Sequence, residues 1–600
     1  MRVFSVPPDQ PPLHSPAVVQ AAHTMRTSPQ PCDPPAFLPF CAEAFSQAHA
    51  RQVPVFLLLG GAIEAFSDPA LSMHLRERTV PVHLPIGVRP DVELLCQRAA
   101  ALFSQEGALP LCALLLDDAR PFLAAPLPPS GYPLDPARLY IWLAQADRRF
   151  VQNLPGLHAQ AAQVLLSFRC DPLRKPYIPA DAAHDLLRAL SAAEDRANGG
   201  FGSIKAPLVC TLRFLQHAPS GANRQAQASL NRTLNAMLAA SIYDPLDGAF
   251  FRSALTDDWR AFVPEKPLGV NAMLALILLD SGRRSEAVRL LDLIISAFAL
   301  EGGALAASLY APKSAYAFTP GQACAALGSE DGLRACRLLG LLHQRTQPDP
   351  PVAPSRFSPA ITAASKRKLY EERPLLFPAM GRSPAPEDSA FLRRALPALL
   401  RMRAARAHQR PSMPIVCEHT ALAAAVLAQC GKKLGEIRYT QAAQRAVAFL
   451  LGQQPASALP CPLPSSAIPS DAMHAHAVCG ASAALTLALL TLGENGGTEE
   501  YVYSGLRLLG SALHAFVRTD GMVMHTPRNP DAFFVRVPAI HDGELPSPAA
   551  LLVHSLRIAH RLRPHAHYDE AIDAIWHAAA PSVCQQPWAC ASLIDAMMTE

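Results

Sequence analysis

Long Ala/Leu-rich stretches that are apolar on more than one face dominate this chain. After about residue 135 helical windows recur at 135–150, 180–193, 223–240, 268–281, 284–299, 389–406, 418–430, 437–453, 471–493, 497–518, 546–562 and 566–578. A helix that is apolar all round has to be covered on both sides, so many of these segments call for a doubly layered helical array. Counting helices leaves a bundle or a solenoid equally open.

The preceding part alternates differently. Val53-Pro54-Val55-Phe56-Leu57-Leu58-Leu59 is a short apolar run ended by Gly60-Gly61, the pattern of a buried strand. Asp68 to Arg78 can cap and form a helix, and Val80 to Leu84 reads as a second strand. Val92, Leu95, Cys96 and Ala99 have helical spacing, and Leu111 to Leu116 forms another apolar strand before the turn at Asp117-Asp118-Ala119-Arg120. This order predicts a small α/β layer ahead of the helices, a multidomain α/β plus all-α chain. Residues 1–34 are rich in Pro, Ser and Gln and are expected to be poorly ordered, and a Pro-rich excursion is expected at about 344–388.

Half of the 600 residues are hydrophobic and 17% are charged, which excludes a disordered chain. Lys and Arg total 53 against 49 Asp and Glu, for a net charge of +4 with no basic block, so no nucleic-acid partner is expected. The N-terminus turns to proline at Pro7-Pro8, too early for a signal-peptide core. The run from Ala477 to Gly493 is slightly short for a membrane span and lacks an aromatic belt. The expectation is a cytoplasmic protein without membrane contact. No two of the 14 cysteines are separated by only two residues, so neither the usual redox pair nor the common zinc knuckle is present.

A set of collinear markers carries a family resemblance. They are Val53 to Gly60, Arg89-Pro90-Asp91, Leu109-Pro110, Gly199-Gly200-Phe201-Gly202 with Lys205 and Pro207, and Tyr243-Asp244. Further along come Gly248 with Phe250 and Arg252, then Trp259, Glu265-Lys266, Asn271, and Asp542 with Pro546-Ser547. In order and spacing the chain resembles the spermatogenesis-associated protein 20 family, bacterial members of which are thioredoxin-domain proteins. The resemblance implies a thioredoxin-like domain over 35–130 followed by an (α/α)6 toroid over 150–600, of the six-hairpin glycosidase and epimerase type. It also implies a cis peptide bond at Pro110.

The chain departs from the family at polar positions. The family's Cys-His-Trp-Cys-His stretch after the first strand is missing; Gly60 runs through Gly61-Ala62-Ile63-Glu64-Ala65 to Phe66. Thiol–disulfide exchange needs a thiolate at a helix N-terminus and a second thiol one turn on. The chain is therefore expected not to be a thiol–disulfide oxidoreductase. In the toroid, a His-Arg pair of the family is Phe251-Arg252, a Tyr-Asp-Asn is Gly269-Val270-Asn271, and a Ser-Trp-Asn is Glu418-His419-Thr420. Such losses suit a degenerate member, a pseudoenzyme.

Asp244, Arg252, Trp259, Glu265, Lys266 and Asn271, with Asp542 further on, form the candidate ligand-binding set. An indole beside carboxylates and amides suits a neutral polar compound such as a sugar, whose hydroxyls need paired donors and acceptors. The competing reading, which stands ahead on the residues alone, is a structural ion pair with loop-closing hydrogen bonds. His541-Asp542 reads as a structural loop, and His474, His476, His565 and His567 as solvated or capping histidines. No catalytic residue, metal ligand or cofactor is assigned. The function expected is a non-redox binding or scaffold protein with a residual polar pocket. The alternative is a carbohydrate-active enzyme, of epimerase or hydrolase type, acting in the toroid with Glu265 or Asp542 as acid or base.

Overall fold

A strand buried on both faces has to be apolar at every position, and Val55–Leu59 and Leu111–Leu115 are. In the computed structural model both lie inside a five-stranded sheet. The structure describes residues 34–599 except 62, 105–108, 130–132, 169–172, 174, 203–204, 220–222, 343–377, 382–384, 407–409, 412–414, 453–477 and 529–535. Nearly all of the stretch expected to be poorly ordered, and most of the 344–388 excursion, lie outside the described residues, as do His474 and His476.

The described residues divide into two compact units. One holds those of Met1–Ile86 and Leu95–Leu166, the other those of Gly87–Leu94, Ser167–Val352 and Ile361–Glu600.

The first unit is thioredoxin-like. Its strands are β1 (Leu38–Pro39), β2 (Val55–Leu59), β3 (Val80–Leu84), β4 (Leu111–Leu115) and β5 (Pro121–Pro126), in the order β1-β3-β2-β4-β5. β3 is parallel to β1 and β2, with Val55 opposite Val80; β4 is antiparallel to β2 and β5. Helices α1 (Ala42–Arg51) and α2 (Pro69–Arg78) join the strands, and Asp68 caps α2 by accepting from Leu71 N at 3.0 Å. The Leu109–Pro110 bond is cis, and Pro110 Cβ lies 3.4 Å from where a Cβ on Gly60 would stand.

Two further helices follow, α4 (Pro136–Gln152) and α5 (Leu154–Leu166), after α3 (Pro90–Ser104). Leu139, Trp142, Leu143, Leu157 and Ala161 share one core with Phe56, Leu58 and Phe122 of the sheet. The first unit thus runs to residue 166, beyond the boundary expected at 130. The apolar stripe of α4 was legible, but periodicity does not say which core a stripe meets.

The second unit is built from helical hairpins. Its inner helices are α7 (Val209–Gln216), α9 (Leu268–Asp280), α14 (Cys417–Leu434), α16 (Cys479–Glu494), α18 (Pro548–Leu562) and α20 (Ala591–Met598). Each packs on the next, and α20 packs back on α7, so the ring closes. An outer helix backs each of them: α8 (Asn223–Ala239), α10 (Arg284–Ala297), α15 (Ile437–Gly452), α17 (Glu499–Phe516), α19 (Ala566–Gln585) and, against α20, α6 (Pro179–Ala193). This is the (α/α)6 toroid. α9 and α16 are buried around almost their whole circumference, as inner helices must be.

Three other helices, α11 (Pro320–Leu327), α12 (Ser329–Leu338) and α13 (Pro386–Arg406), form a satellite core with Leu246 and Phe318 outside the ring. Short strands β6 (Glu265–Pro267), β7 (Ser308–Tyr310) and β8 (Arg410–Pro411) make a second, three-stranded sheet beside the start of α9. Among the described residues no helix is long and apolar enough to cross a membrane.

Candidate functional site

Hairpin connectivity sets where a site can form. Each of α9, α14, α16 and α18 is followed after two to four residues by its outer partner, so those turns lie at one end of the ring. The long segments 194–208, 240–267 and 517–547 lead into inner helices, so their described residues gather at the opposite end, where the inner helices begin. Loops of this length on a rigid scaffold are where binding groups concentrate.

At that end the Arg252 guanidinium makes a paired contact with Glu265: Nε donates to Oε2 at 3.0 Å and Nη2 to Oε1 at 2.9 Å. Arg252 Nη1 also donates to Glu544, from the segment leading into α18. Burial opposes the charge on Arg252, but Glu265 and Glu544 outweigh it and raise its pKa. Burial likewise pushes Glu265 up, and Arg252 and the Ser308 hydroxyl more than offset it, so Glu265 is held below the usual carboxylate range. The side chains are 14%, 21% and 41% exposed for Arg252, Glu265 and Glu544, so the trio reaches solvent.

The first turn of α14 supplies Glu418 and His419. Burial raises the Glu418 carboxyl to about 7 and lowers the His419 imidazole to about 4, with Arg252 adding to the latter. His419 is therefore neutral near pH 7, and its Nδ1 is buried without a hydrogen-bond partner. No described donor or cation pairs with the Glu418 carboxyl; it packs over Gly480 in the first turn of α16. The second unit also includes Gly87–Leu94. A Cβ on Gly87 would lie 3.3 Å from Val416 and 3.5 Å from His419 Cε1, and Gly87 N donates to Glu93 Oε1. Burial raises the Glu93 carboxyl to about 8.

The residues expected to bind a ligand fall into separate places. Arg252 and Glu265 do meet. Lys266 and Asp244 do not join them: Lys266 Nζ contacts Asp244 Oδ2 and Asp247 Oδ2, each at 2.6 Å, and Arg403 of α13 contacts the same two carboxylates at 2.5 and 2.7 Å. All four are buried, and Phe251 and Tyr316 face the ammonium at 4.8 and 4.9 Å. This is a closed interior ion cluster that ties α13 to the loop before α9. Asn271 is fully buried and serves the backbone, bonding Phe250 N, Phe250 O and Pro267 O.

Trp259 is 1% exposed, with Nε1 donating to Asn198 O at 3.0 Å. Its ring lies against Gly200, where a Cβ would collide with it, so it offers no stacking face. Asp542 accepts from Ser592 N at 2.8 Å and Ser547 N at 3.1 Å, locking the starts of α18 and α20 together. These placements correct the expected pocket. Charged loop residues chose burial with full pairing, because an isolated buried charge is far costlier than a paired one.

Glu93, Glu418, His419 and Glu544 were missed as site members. The available signal was Glu418-His419 opening an otherwise Ala-rich inner helix.

None of the described cysteines is in a disulfide. In the first unit Cys96 and Cys112 are buried and Cys41 is partly buried. No described group of three or more His, Cys, Asp or Glu is placed to hold a metal.

Residues 25–167 match the family Thioredox_DsbH, described as "Protein of unknown function, DUF255". The chain is 24% identical over 277 residues to a Caenorhabditis elegans protein, "Uncharacterized protein B0495.5". That match covers 41% of this chain and 36% of the worm protein, so the chain spans about a third of its relative's length. Among solved structures it is similar to a cellobiose 2-epimerase from Bacillus thermoamylovorans B4167, with 10% identity, a TM-score of 0.40, and coverage of 67% of this chain and 87% of the other. A cellobiose 2-epimerase from Spirochaeta thermophila DSM 6192 is 14% identical, with a TM-score of 0.40 and coverage of 67% and 84%. A D-mannose isomerase is 11% identical, with a TM-score of 0.41 and coverage of 68% and 88%. The chain combines a thioredoxin-like unit with the closed ring of helical hairpins described above.

Proposed function

We propose that this chain is a degenerate relative of the spermatogenesis-associated protein 20 type that lacks the paired redox cysteines, and that it binds a small polyhydroxy compound at the end of the ring where the inner helices begin. Its thioredoxin-like unit performs no thiol–disulfide exchange. The observation that supports this most is the convergence of Arg252 and Glu265 of one long segment with Glu544 of another, partly open to solvent. Hydroxyl groups need fixed donors and acceptors of this kind, and a preorganised charged trio supplies both. The test is calorimetric titration of the intact protein with hexoses and polyols, beside Arg252→Lys. Binding that falls by about ten-fold or more in the variant, with its melting temperature near wild type, supports the reading. Sugar binding indifferent to the change, or no binding at all, overturns it.

A carbohydrate-active enzyme is the second reading. What favours it is the pair Glu418 and His419, whose pKa values burial drives to about 7 and about 4. A carboxyl poised near neutrality can act as general acid or base. Deuterium incorporation into a hexose in heavy water, lost in Glu418→Gln, would identify proton transfer; its absence across the sugar panel would leave binding alone.

A further inference from the structure

Two arginines of the second unit are paired with carboxylates, Arg252 with Glu265 and Glu544 and Arg89 with Asp91, Nε to Oδ1 at 2.8 Å, whereas Arg536 reaches only Thr526 O. Glu418 and Glu93 are left without a described cation. Glu418 packs over Gly480 and has no described hydrogen-bond donor; Glu93 has the backbone N–H of Gly87. Gly87 in turn rests on Val416 and His419, the neighbours of Glu418, which brings the two carboxyls to one place.

A second observation points to a ligand there. His525 is 5% exposed, and neither ring nitrogen has a hydrogen-bond partner. Its carbonyl accepts from Cys479 N at 3.0 Å, next to Gly480, and its ring lies within the field of Asp91 and Arg89. Thr526 and Ser482, both fully buried, also carry unpartnered hydroxyls. Buried polar groups are almost always satisfied, so so much unused capacity around one helix start is a place prepared for a polar molecule.

We propose that Glu418 and Glu93 form a subsite for the protonated amine of a small polar ligand, with His525 and Thr526 taking its neighbouring hydroxyls. Carboxylates are acceptors only, and an ammonium brings three donors together with the missing positive charge. In a buried setting that charge is worth far more than in water: without it each carboxyl either stays protonated, as burial favours for both near neutral pH, or ionises at the full cost of desolvation, and the ammonium draws them into the ionised form with release of their protons. A neutral hydroxyl satisfies the geometry and leaves that cost in place. The inference rests on the polyol reading above and narrows it to an amino-substituted ligand.

The experiment compares matched pairs by calorimetry on the intact protein at pH 6.5: glucose with glucosamine, and galactose with galactosamine. N-acetylglucosamine serves as the uncharged control. The expected result is a hexosamine preference of about ten-fold or more, absent for the acetylated sugar and reduced to within about two-fold in Glu418→Gln and in Glu93→Gln. The two variants are isosteric and read separately, so a folding defect in one leaves the other informative. Equal affinity within pairs, a hexose preference, or a hexosamine preference that survives both substitutions overturns the amine subsite and leaves the polyol reading standing. Failure of every sugar to bind overturns both.

Discussion

The carboxylate of Glu418 fills the space into which a Cβ on Gly480 would project. One residue in the first turn of α14 therefore depends on the absence of a side chain in the first turn of α16. An acidic residue is welcome at a helix start, and the glycine lets the two helices approach while holding that carboxyl between them. Gly480→Ala should destabilise the protein by about 1–3 kcal/mol through overpacking. Adding Glu418→Ala should recover part of that loss. Urea denaturation of the single and double variants checks the coupling; equal destabilisation in both would show that the clash is with something else.

A pH dependence follows from the same carboxyl. Burial raises Glu418 from 4.5 to about 7 and Glu93 from 4.5 to about 8. A carboxyl raised on folding stays protonated in the native state while the unfolded chain ionises, so its contribution is intact below 4.5 and is lost as pH climbs through the folded value. Buried histidines such as His419 and His525, lowered to about 4, act in the opposite sense at the acid end. Glu418→Gln isolates the carboxyl. Its melting temperature should exceed that of wild type at pH 8.5, and the difference should shrink toward pH 4.

Thiol chemistry gives a third prediction. Gly60-Gly61 and the short helical turn Ile63–Phe66 occupy the place where the family resemblance sets its cysteines. The described cysteines of that unit are buried or partly buried, and Cys112 Sγ lies 3.7 Å from Ala125 O, inside the sheet. A buried thiol in apolar surroundings is inert. The protein should reduce insulin in the presence of dithiothreitol no faster than buffer does, and alkylation should change nothing.

How far such features could be read from the chain depended on what kind of signal each leaves. The run Cys479–Glu494 is apolar all round and was recognisable as a buried helix, but the closure of the ring was not, because periodicity marks a face and not the partner that covers it. Glycine- and aromatic-bearing loops lead into the inner helices, and one of them, 240–267, carries both Arg252 and Glu265. They misled at Trp259 and Lys266, since the same residue types close a loop from inside as readily as they line a mouth. Lysine is seldom buried, and nothing local foretold that Lys266 would meet Asp247 and an arginine far along the chain, Arg403. Glu418 and His419 stand where the family resemblance sets Ser-Trp, so in the sequence they read as a loss, and only the fold shows the ionisable pair they bring to the start of an inner helix.

The interior cluster of Lys266, Arg403, Asp244 and Asp247 is balanced, two cations against two carboxylates in mutual contact. Removing one member leaves a charge buried without compensation, which costs more than the intact pair is worth. Lys266→Met should therefore destabilise the protein by about 3–5 kcal/mol. Arg403→Met should cost a comparable amount and also free α13 from the loop before α9. A double replacement that removes a charge of each sign, Lys266→Met with Asp247→Asn, should cost less than the sum of its parts. Chemical denaturation of these variants and of Asp247→Asn alone, with amide exchange across 386–406, measures both effects. A simple sum, with α13 exchange unchanged in Arg403→Met, would mean that the four side chains do not act as a unit.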